Sequence, residues 1–255
     1  YLKNDLEKLF HSKNVLDNKI VEAICGEDAK FTAELRGLGI TSSTSEEGTA
    51  KKTFELKYEN STMTVGDTGI NMRVANSKVD IISGTINSSN IGIYIYRSAN
   101  SKINIKDVTI NSTNQGLYEY DSSGLNITID YAEIISTNSN AMQFDSYSGK
   151  TMTIRDGKFK GADYGLKLRY INLTMTGGTI ETTNTSRDRY ALYVYDYTTN
   201  LSNVKLISNN ASGIFQEYGT LNISKSDISA NNTSSYGIHN YYATTNVYEG
   251  TNITT

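Results

Sequence analysis

A five-residue phrase returns eight times along this chain at almost fixed spacing. It reads Gly69-Ile-Asn-Met-Arg, Gly92-Ile-Tyr-Ile-Tyr, Gly116-Leu-Tyr-Glu-Tyr, Ala141-Met-Gln-Phe-Asp, Gly165-Leu-Lys-Leu-Arg, Ala191-Leu-Tyr-Val-Tyr, Gly213-Ile-Phe-Gln-Glu and Gly237-Ile-His-Asn-Tyr. The gaps run from 22 to 26 residues and average 24. A period in this range belongs to solenoids, whose units bury their apolar face only by stacking on neighbours. The repeat therefore points to one elongated domain rather than two globules.

A second landmark recurs in step with the first. Val79-Asp-Ile-Ile-Ser-Gly-Thr-Ile, Ile103-Asn-Ile-Lys-Asp-Val-Thr-Ile and Leu173-Thr-Met-Thr-Gly-Gly-Thr-Ile share the frame apolar-x-apolar-x-x-x-x-apolar. Alternation turns Val79 and Ile81 inward and Asp80 outward. The polar stretch before the last apolar residue reads as a corner. The coil at Leu201 reads as one residue short, with Asn203 where an apolar residue belongs.

Three strands of four to five residues plus three turns account for each repeat. The expected fold is all-β: a parallel β-helix of about eight coils over 51–255, right-handed because crossovers between parallel strands prefer that hand. Between Ile180 and Ala191 about five extra residues within Thr183–Arg189 are expected to loop out and carry Arg187, Asp188 and Arg189 away from the rod, or to form a plain surface bulge.

Residues 1–50 differ. Leu2, Leu6, Leu9, Phe10, Val15, Leu16, Ile20, Val21 and Ile24 recur at spacings that fit an amphipathic helix. Asp28 is read as the cap of a shorter helix through about Leu35, and Thr41–Ala50 as a linker. This segment is expected to be an α-helical cap over the first coil; the alternative is the tail of an upstream stalk or domain. Because residue 1 is Tyr, an export signal, anchor or neighbouring domain is expected to have been removed or to lie outside this stretch.

Composition narrows the chemistry. With 24 basic and 27 acidic residues the net charge is −3, so no nucleic acid or anionic membrane is an evident partner. One cysteine, Cys25, forms no internal disulfide, and two distant histidines, His11 and His239, make no Cys/His zinc cluster. No cofactor is called for, and no apolar run is long enough to insert in a membrane. Proline and tryptophan are absent while tyrosine numbers 19. The Asn, Ile, Lys and Tyr bias fits an AT-rich genome.

The phrase Leu173-Thr-Met-Thr-Gly-Gly-Thr-Ile followed by Ala191-Leu-Tyr-Val-Tyr resembles the degenerate repeats of pectate-lyase-like β-helix proteins. The resemblance covers about Tyr58–Thr255. It implies a secreted or cell-surface protein of the adhesin-like kind found in Gram-positive gut bacteria and some archaea. The Asp-Asp and Gly-His elements of the polygalacturonase-like hydrolases are missing, as are the proline- and tryptophan-bearing motifs of pectate lyases. The fold alone carries no activity.

In the repeated phrase the third and fifth residues face outward. They place Tyr94, Tyr118 and Tyr193 in one column and Tyr96, Tyr120, Tyr195 and Tyr241 in another, with Lys167, Asp145 and Arg169 between them as a charged patch. Tyrosine combines an apolar body with a polar tip, which suits a sugar ring or a protein partner; the plainer account is that Tyr ladders favour strand stacking. Asp145 and Arg169, adjacent in one column, read as a surface ion pair or as the core of a carbohydrate-active site. Glu119 falls on an inward position, and a local bulge is expected to turn it outward, because an unpaired buried carboxylate costs several kcal/mol. The Asn-x-Ser/Thr triplets at Asn87, Asn111, Asn126, Asn172 and Asn222 follow from composition, or else serve hydrogen-bonded ladders between coils.

The expected function is a non-catalytic extracellular bacterial surface module, a monomer, that presents its Tyr-rich face to a glycan, polysaccharide or host surface protein, or acts as a rigid spacer. The alternatives are a polysaccharide lyase or glycoside hydrolase of the same fold, and a trimeric phage fibre or tail-spike segment.

Overall fold

A computed structural model describes residues 33–35, 40–45, 53–146 and 149–255. It is an all-β parallel solenoid of about eight turns. One sheet of eight strands collects the repeated phrases, from Ile70–Met72 through Ile93–Tyr96 to Ile238–Tyr241, each paired in parallel with the phrase one coil away. A second sheet of fifteen strands carries the rest of each coil. No helix among the described residues is long and apolar enough to cross a membrane.

The expected three strands per coil merge in part. In the early coils the first strand and its continuation form one bent strand, as in Lys78–Ser88, Lys102–Ser112 and Asn126–Ser136. The bend is made by one residue in the left-handed region, Ser83 (φ 53°), Asp107 (53°) or Tyr131 (55°). From Ile171 onward the strand splits into two, as in Ile171–Met175 and Thr179–Thr182.

The coil at Leu201 is not short. Its inward pair is Thr199 and Leu201, opposite Leu173 and Met175, and Thr199 is fully buried. Asn203 is the corner residue (φ 56°) and is exposed. A polar residue in an apolar column displaced the expected frame by two positions.

The long helix expected near the N-terminus lies outside the described residues. Where that region is described it is strand: Ala33–Leu35 pairs antiparallel with Ile40–Ser45, which pairs antiparallel with residues 53–58. The expected helix end at Leu35 and loop from Thr41 are thus replaced by a hairpin laid on the edge of the first parallel strand, where unpaired backbone groups would otherwise stand.

Inside, side chains stack on their equivalents one coil away. Ile81, Ile105, Ile129, Ile154 and Met175 form one fully buried column. Such parallel, in-register pairing leaves little freedom where two walls meet. At Gly69, Gly92, Gly116, Gly165, Gly213 and Gly237 an added Cβ would overlap the Cγ2 of Ile86, Ile110, Ile134, Ile180, Ile228 and Ile253 respectively. The two coils with alanine in the phrase, at Ala141 and Ala191, place Phe159 and Leu206 at the isoleucine position. Neither is β-branched, so neither carries a Cγ2 there. Glycine accompanies isoleucine, and alanine accompanies a partner not branched at Cβ.

This complementarity is testable. Gly116→Ala alone is expected to destabilise the fold by about 1–3 kcal/mol through overpacking. Adding Ile134→Leu in the same chain removes the clashing branch but leaves the Ala141 carbonyl oxygen 2.5 Å from the added Cβ, so only part of the loss is recovered, as read from urea midpoints at unchanged slope.

Candidate functional site

The eight-stranded sheet turns its third- and fifth-position residues outward in the expected register. Tyr94 lies opposite Tyr118, Tyr118 opposite Gln143, Lys167 opposite Tyr193, and Tyr193 opposite Phe215. In the neighbouring column Tyr96 lies opposite Tyr120, Arg169 opposite Tyr195, and Glu217 opposite Tyr241. The residues singled out from sequence therefore share one wall of the rod.

Their rings adopt a particular arrangement. Tyr94 and Tyr118 stack with centroids 5.4 Å apart and planes 16° apart, and Tyr96 and Tyr120 at 6.1 Å and 11°. Rings stacked along the coil axis turn their faces to one another and their edges and hydroxyls outward. The guanidinium groups of Arg73 and Arg97 lie 5.5 Å and 4.9 Å from the Tyr96 ring centre, within cation–π range. Burial pushes the Tyr118 hydroxyl up to about 12, so it stays a neutral donor at physiological pH. Tyr120 is 48% exposed, and the next phrase carries Asp145 at its position, so one face of this ring has no aromatic neighbour in the column.

The central patch does not form the expected ion pair. Gln143 donates to the Asp145 carboxylate and accepts from Asn140 Nδ2 at 2.6 Å. Arg169 lies over the Tyr195 ring at 5.0 Å and the Tyr170 ring at 5.8 Å instead. Among the described residues Asp145 and Arg169 are not bridged, and Arg169 Nε is buried without a hydrogen-bond partner. Tyrosine faces compete for the guanidinium because they offer cation–π contact where the carboxylate is already engaged.

The second aromatic group is larger than the sequence reading foresaw. Tyr193 stacks on Phe215 at 5.2 Å and donates to Glu217 Oε2 at 2.9 Å. Tyr190 Oη and His239 Nδ1, two coils apart, share a hydrogen bond of 2.9 Å. The inserted residues 183–189 do not stand away from the rod. Arg189 donates to Tyr164 Oη at 2.8 Å, and Arg187 lies 5.6 Å from the Tyr236 ring centre. The insertion thus straps the aromatic wall across several coils.

A further tyrosine row borders this wall. Tyr170, Tyr218 and Tyr242 each occupy the place just after the phrase, and each is held at positive φ (55°, 56° and 51°). A bulky residue in that region costs about 1–2 kcal/mol relative to glycine. Tyr218 stacks on Tyr242 at 5.9 Å, and Tyr242, 75% exposed, ends the row. The signal for this row was present as tyrosine returning at the sixth place of three phrases.

Glu119 overturns the expected bulge. It stays in its inward column, opposite Ile95 and Phe144, and is fully buried. Lys150, which the sequence reading passed over, enters the interior from the next coil and places Nζ 3.1 Å from Glu119 Oε2. The same ammonium donates to the Ser146 carbonyl at 3.1 Å and to Ser146 Oγ at 3.0 Å. Glu119 also accepts from the Ser122 backbone N–H at 2.7 Å and from the Ser146 hydroxyl. With partners inside, the carboxylate has no reason to leave. Burial pushes the Lys150 ammonium below its usual range, and the Glu119 carboxylate pulls it partly back.

No group of three or more His, Cys, Asp or Glu side chains able to hold a metal ion occurs among the described residues. Comparison with protein-family models, with curated proteins and with solved structures yields no match to this chain. The class to which it is assigned is set by its architecture, a parallel β-solenoid.

Removing one member of the buried pair leaves the other uncompensated. Glu119→Ala is expected to cost about 3–5 kcal/mol, whereas Glu119→Met with Lys150→Met falls near wild type or above it, by equilibrium unfolding. In Glu119→Gln the folded chain binds the Lys150 proton less tightly than the unfolded chain does. Stability should then climb with pH toward the ordinary lysine value of about 10.4, a slope that Lys150→Met abolishes.

Proposed function

We propose that this chain is a non-catalytic extracellular module of a bacterial surface protein, a right-handed β-helix of the pectate-lyase-like kind capped by its N-terminal helix, that presents the tyrosine wall to a glycan. The observation that carries this reading is the row of tyrosines held at positive φ beside the stacked columns. Asparagine or glycine would make those corners at lower cost. The rings cover no core, and Tyr242 is mostly solvent-exposed.

The wall offers hydroxyls and ring edges along its length, and less covered ring faces at Tyr120 and Tyr242. Sugar rings stack on an open aromatic face and hydrogen-bond to phenolic hydroxyls, which divides the wall into two stacking positions with hydrogen-bonding positions between them. Arg169 and Lys167 add donors between the two aromatic groups. A polysaccharide lying along the coil axis would meet these positions in sequence.

The chain has 19 tyrosines and no tryptophan, so intrinsic emission comes from tyrosine, and much of it from this wall. A glycan array followed by fluorescence titration of the best binder is expected to give saturable binding without release of reducing-end or unsaturated sugar. Tyr120→Ala and Tyr242→Ala should each weaken it by about tenfold, ~1.4 kcal/mol. Equal affinity in the double variant would overturn the assignment of the wall, and sugar release abolished by Arg169→Ala would replace the module by an enzyme.

A further inference from the structure

A different wall of the rod has a composition that the glycan reading leaves unexplained. On the first strand of each coil the outward residues form two columns. Across six consecutive coils the first column reads Asn126, Thr151, Asn172, Thr198, Thr220 and Thr244. Two residues on, the second reads Thr128, Thr153, Thr174, Asn200, Asn222 and Asn246. All twelve positions are threonine or asparagine, and none is buried.

The other walls of the same coils differ. The outward positions just past the corner include Lys158, Lys160, Glu181, Lys205 and Asp227, and the phrase wall carries the aromatics and Arg169. A solubilising surface mixes charges of both signs. In the coils before Asn126 these same columns do so, with Glu55, Lys57, Lys78, Asp80 and Lys102, whereas from Asn126 onward they carry none and charge stands only at their border, where Arg155 pairs with Asp130.

The grid is also regular. Pairing through the second column is parallel and in register, and the register shifts between Asn126–Ser136 and Lys150–Gly161 fall at Ile154–Gly157, beyond both columns. In the first column the step from Asn172 to Thr198 is made instead by the Thr198 N–H donating to Asn172 Oδ1 at 3.2 Å. Coils are spaced by about 4.8 Å, and residues two apart on a strand by about 6.7 Å. Asn222 Nδ2 donates to Asn200 Oδ1 and Asn246 Nδ2 to Asn222 Oδ1, both at 2.8 Å, which fixes the asparagines as a ladder rather than as independent rotamers. The wall is therefore a rigid two-dimensional lattice of hydroxyls, amides and threonine methyls.

We infer that this Thr/Asn wall binds ice. Its two spacings lie close to repeats of the oxygen lattice on the faces of hexagonal ice. Hydroxyls and amides both donate to and accept from water, while the methyls between them cage the first water layer in place. Charged side chains would impose their own hydration shells and break that layer, and their exclusion from the grid is explained on this reading. No aromatic ring stands within either column, but Tyr248 lines a hollow beside the second one with Thr174, Asn200 and Asn222, so adsorption to a crystalline polysaccharide is the outcome the test has to exclude.

The test uses the whole chain, fluorescently labelled, in slowly growing ice. The protein should become incorporated into the ice and should hold a seed crystal unchanged over a measurable interval below its melting point. Thr174→Lys and, separately, Thr220→Lys place a charged chain inside the grid at exposed or half-exposed positions. Each should return incorporation to the level of an ordinary soluble protein while keeping the wild-type unfolding midpoint. Tyr120→Ala should leave incorporation unchanged, which separates this result from the fate of the glycan reading. Exclusion of the wild-type chain from ice, full incorporation of both lysine variants, or adsorption to crystalline cellulose or chitin without ice binding would each overturn the inference.

Discussion

Parallel hydrogen bonding between one coil and the next is the constraint from which the rest of this molecule follows. Each strand satisfies its backbone only if the strand one turn away lies in register beside it, so every coil inherits the outline of its neighbour. Side chains then have no choice of partner. An isoleucine meets an isoleucine, a tyrosine a tyrosine, an asparagine an asparagine, each about 4.8 Å away. Insertions have to fall between strands, as residues 183–189 do, because an added residue within a strand would turn every later side chain to the opposite face.

The same constraint decides which substitutions coils tolerate. Where the phrase strand passes the wall behind it, a branched isoleucine leaves no room for an alanine methyl, and at most of these glycines the carbonyl of the next phrase closes the same space. Ala141 with Phe159 and Ala191 with Leu206 are coordinated exceptions that preserve the close approach. The corners are solved separately. Ser83, Asp107, Asn203 and Lys225 all accept positive φ, so the bend does not depend on glycine. At the phrase end the corner is given to tyrosine three times, at Tyr170, Tyr218 and Tyr242, and elsewhere to Arg97, Asp121 and Asp196.

Much of this was legible before any coordinates. Period 24 gave the coil, and alternation placed Tyr94, Tyr118, Lys167 and Tyr193 on one wall, because both patterns are properties of backbone geometry. What pattern reading misjudged were the places where a polar residue stands inside. Thr199 was overlooked because a threonine does not announce an inward position, and Asn203 was assigned a place two residues away. Glu119 was expected to turn outward because its partner, Lys150, lies 31 residues further on, at an inward place where Ser77 and Ser101 stand in earlier coils. Position alone does not reveal that two such departures meet. The Asp145–Arg169 pairing failed for a related reason: shared column membership sets proximity, but Gln143 and Tyr195 compete for the two groups at shorter range. The pairing of glycine with isoleucine was written in the sequence as well, in two repeats whose phases have to be overlaid to see it.

The buried Glu119–Lys150 contact has a consequence for how the stack is threaded. Apolar columns built from near-identical rungs are almost interchangeable, and a chain wound one rung out of step would still lay isoleucine on isoleucine. Hydrophobic burial therefore discriminates poorly between the native winding and its slipped copies. A carboxylate and an ammonium that meet only in the native winding remove that ambiguity, since any slip strands both ions in an oily interior. One polar contact in an otherwise uniform shaft thus acts as its index mark, giving a repetitive chain a single origin from which its turns are counted.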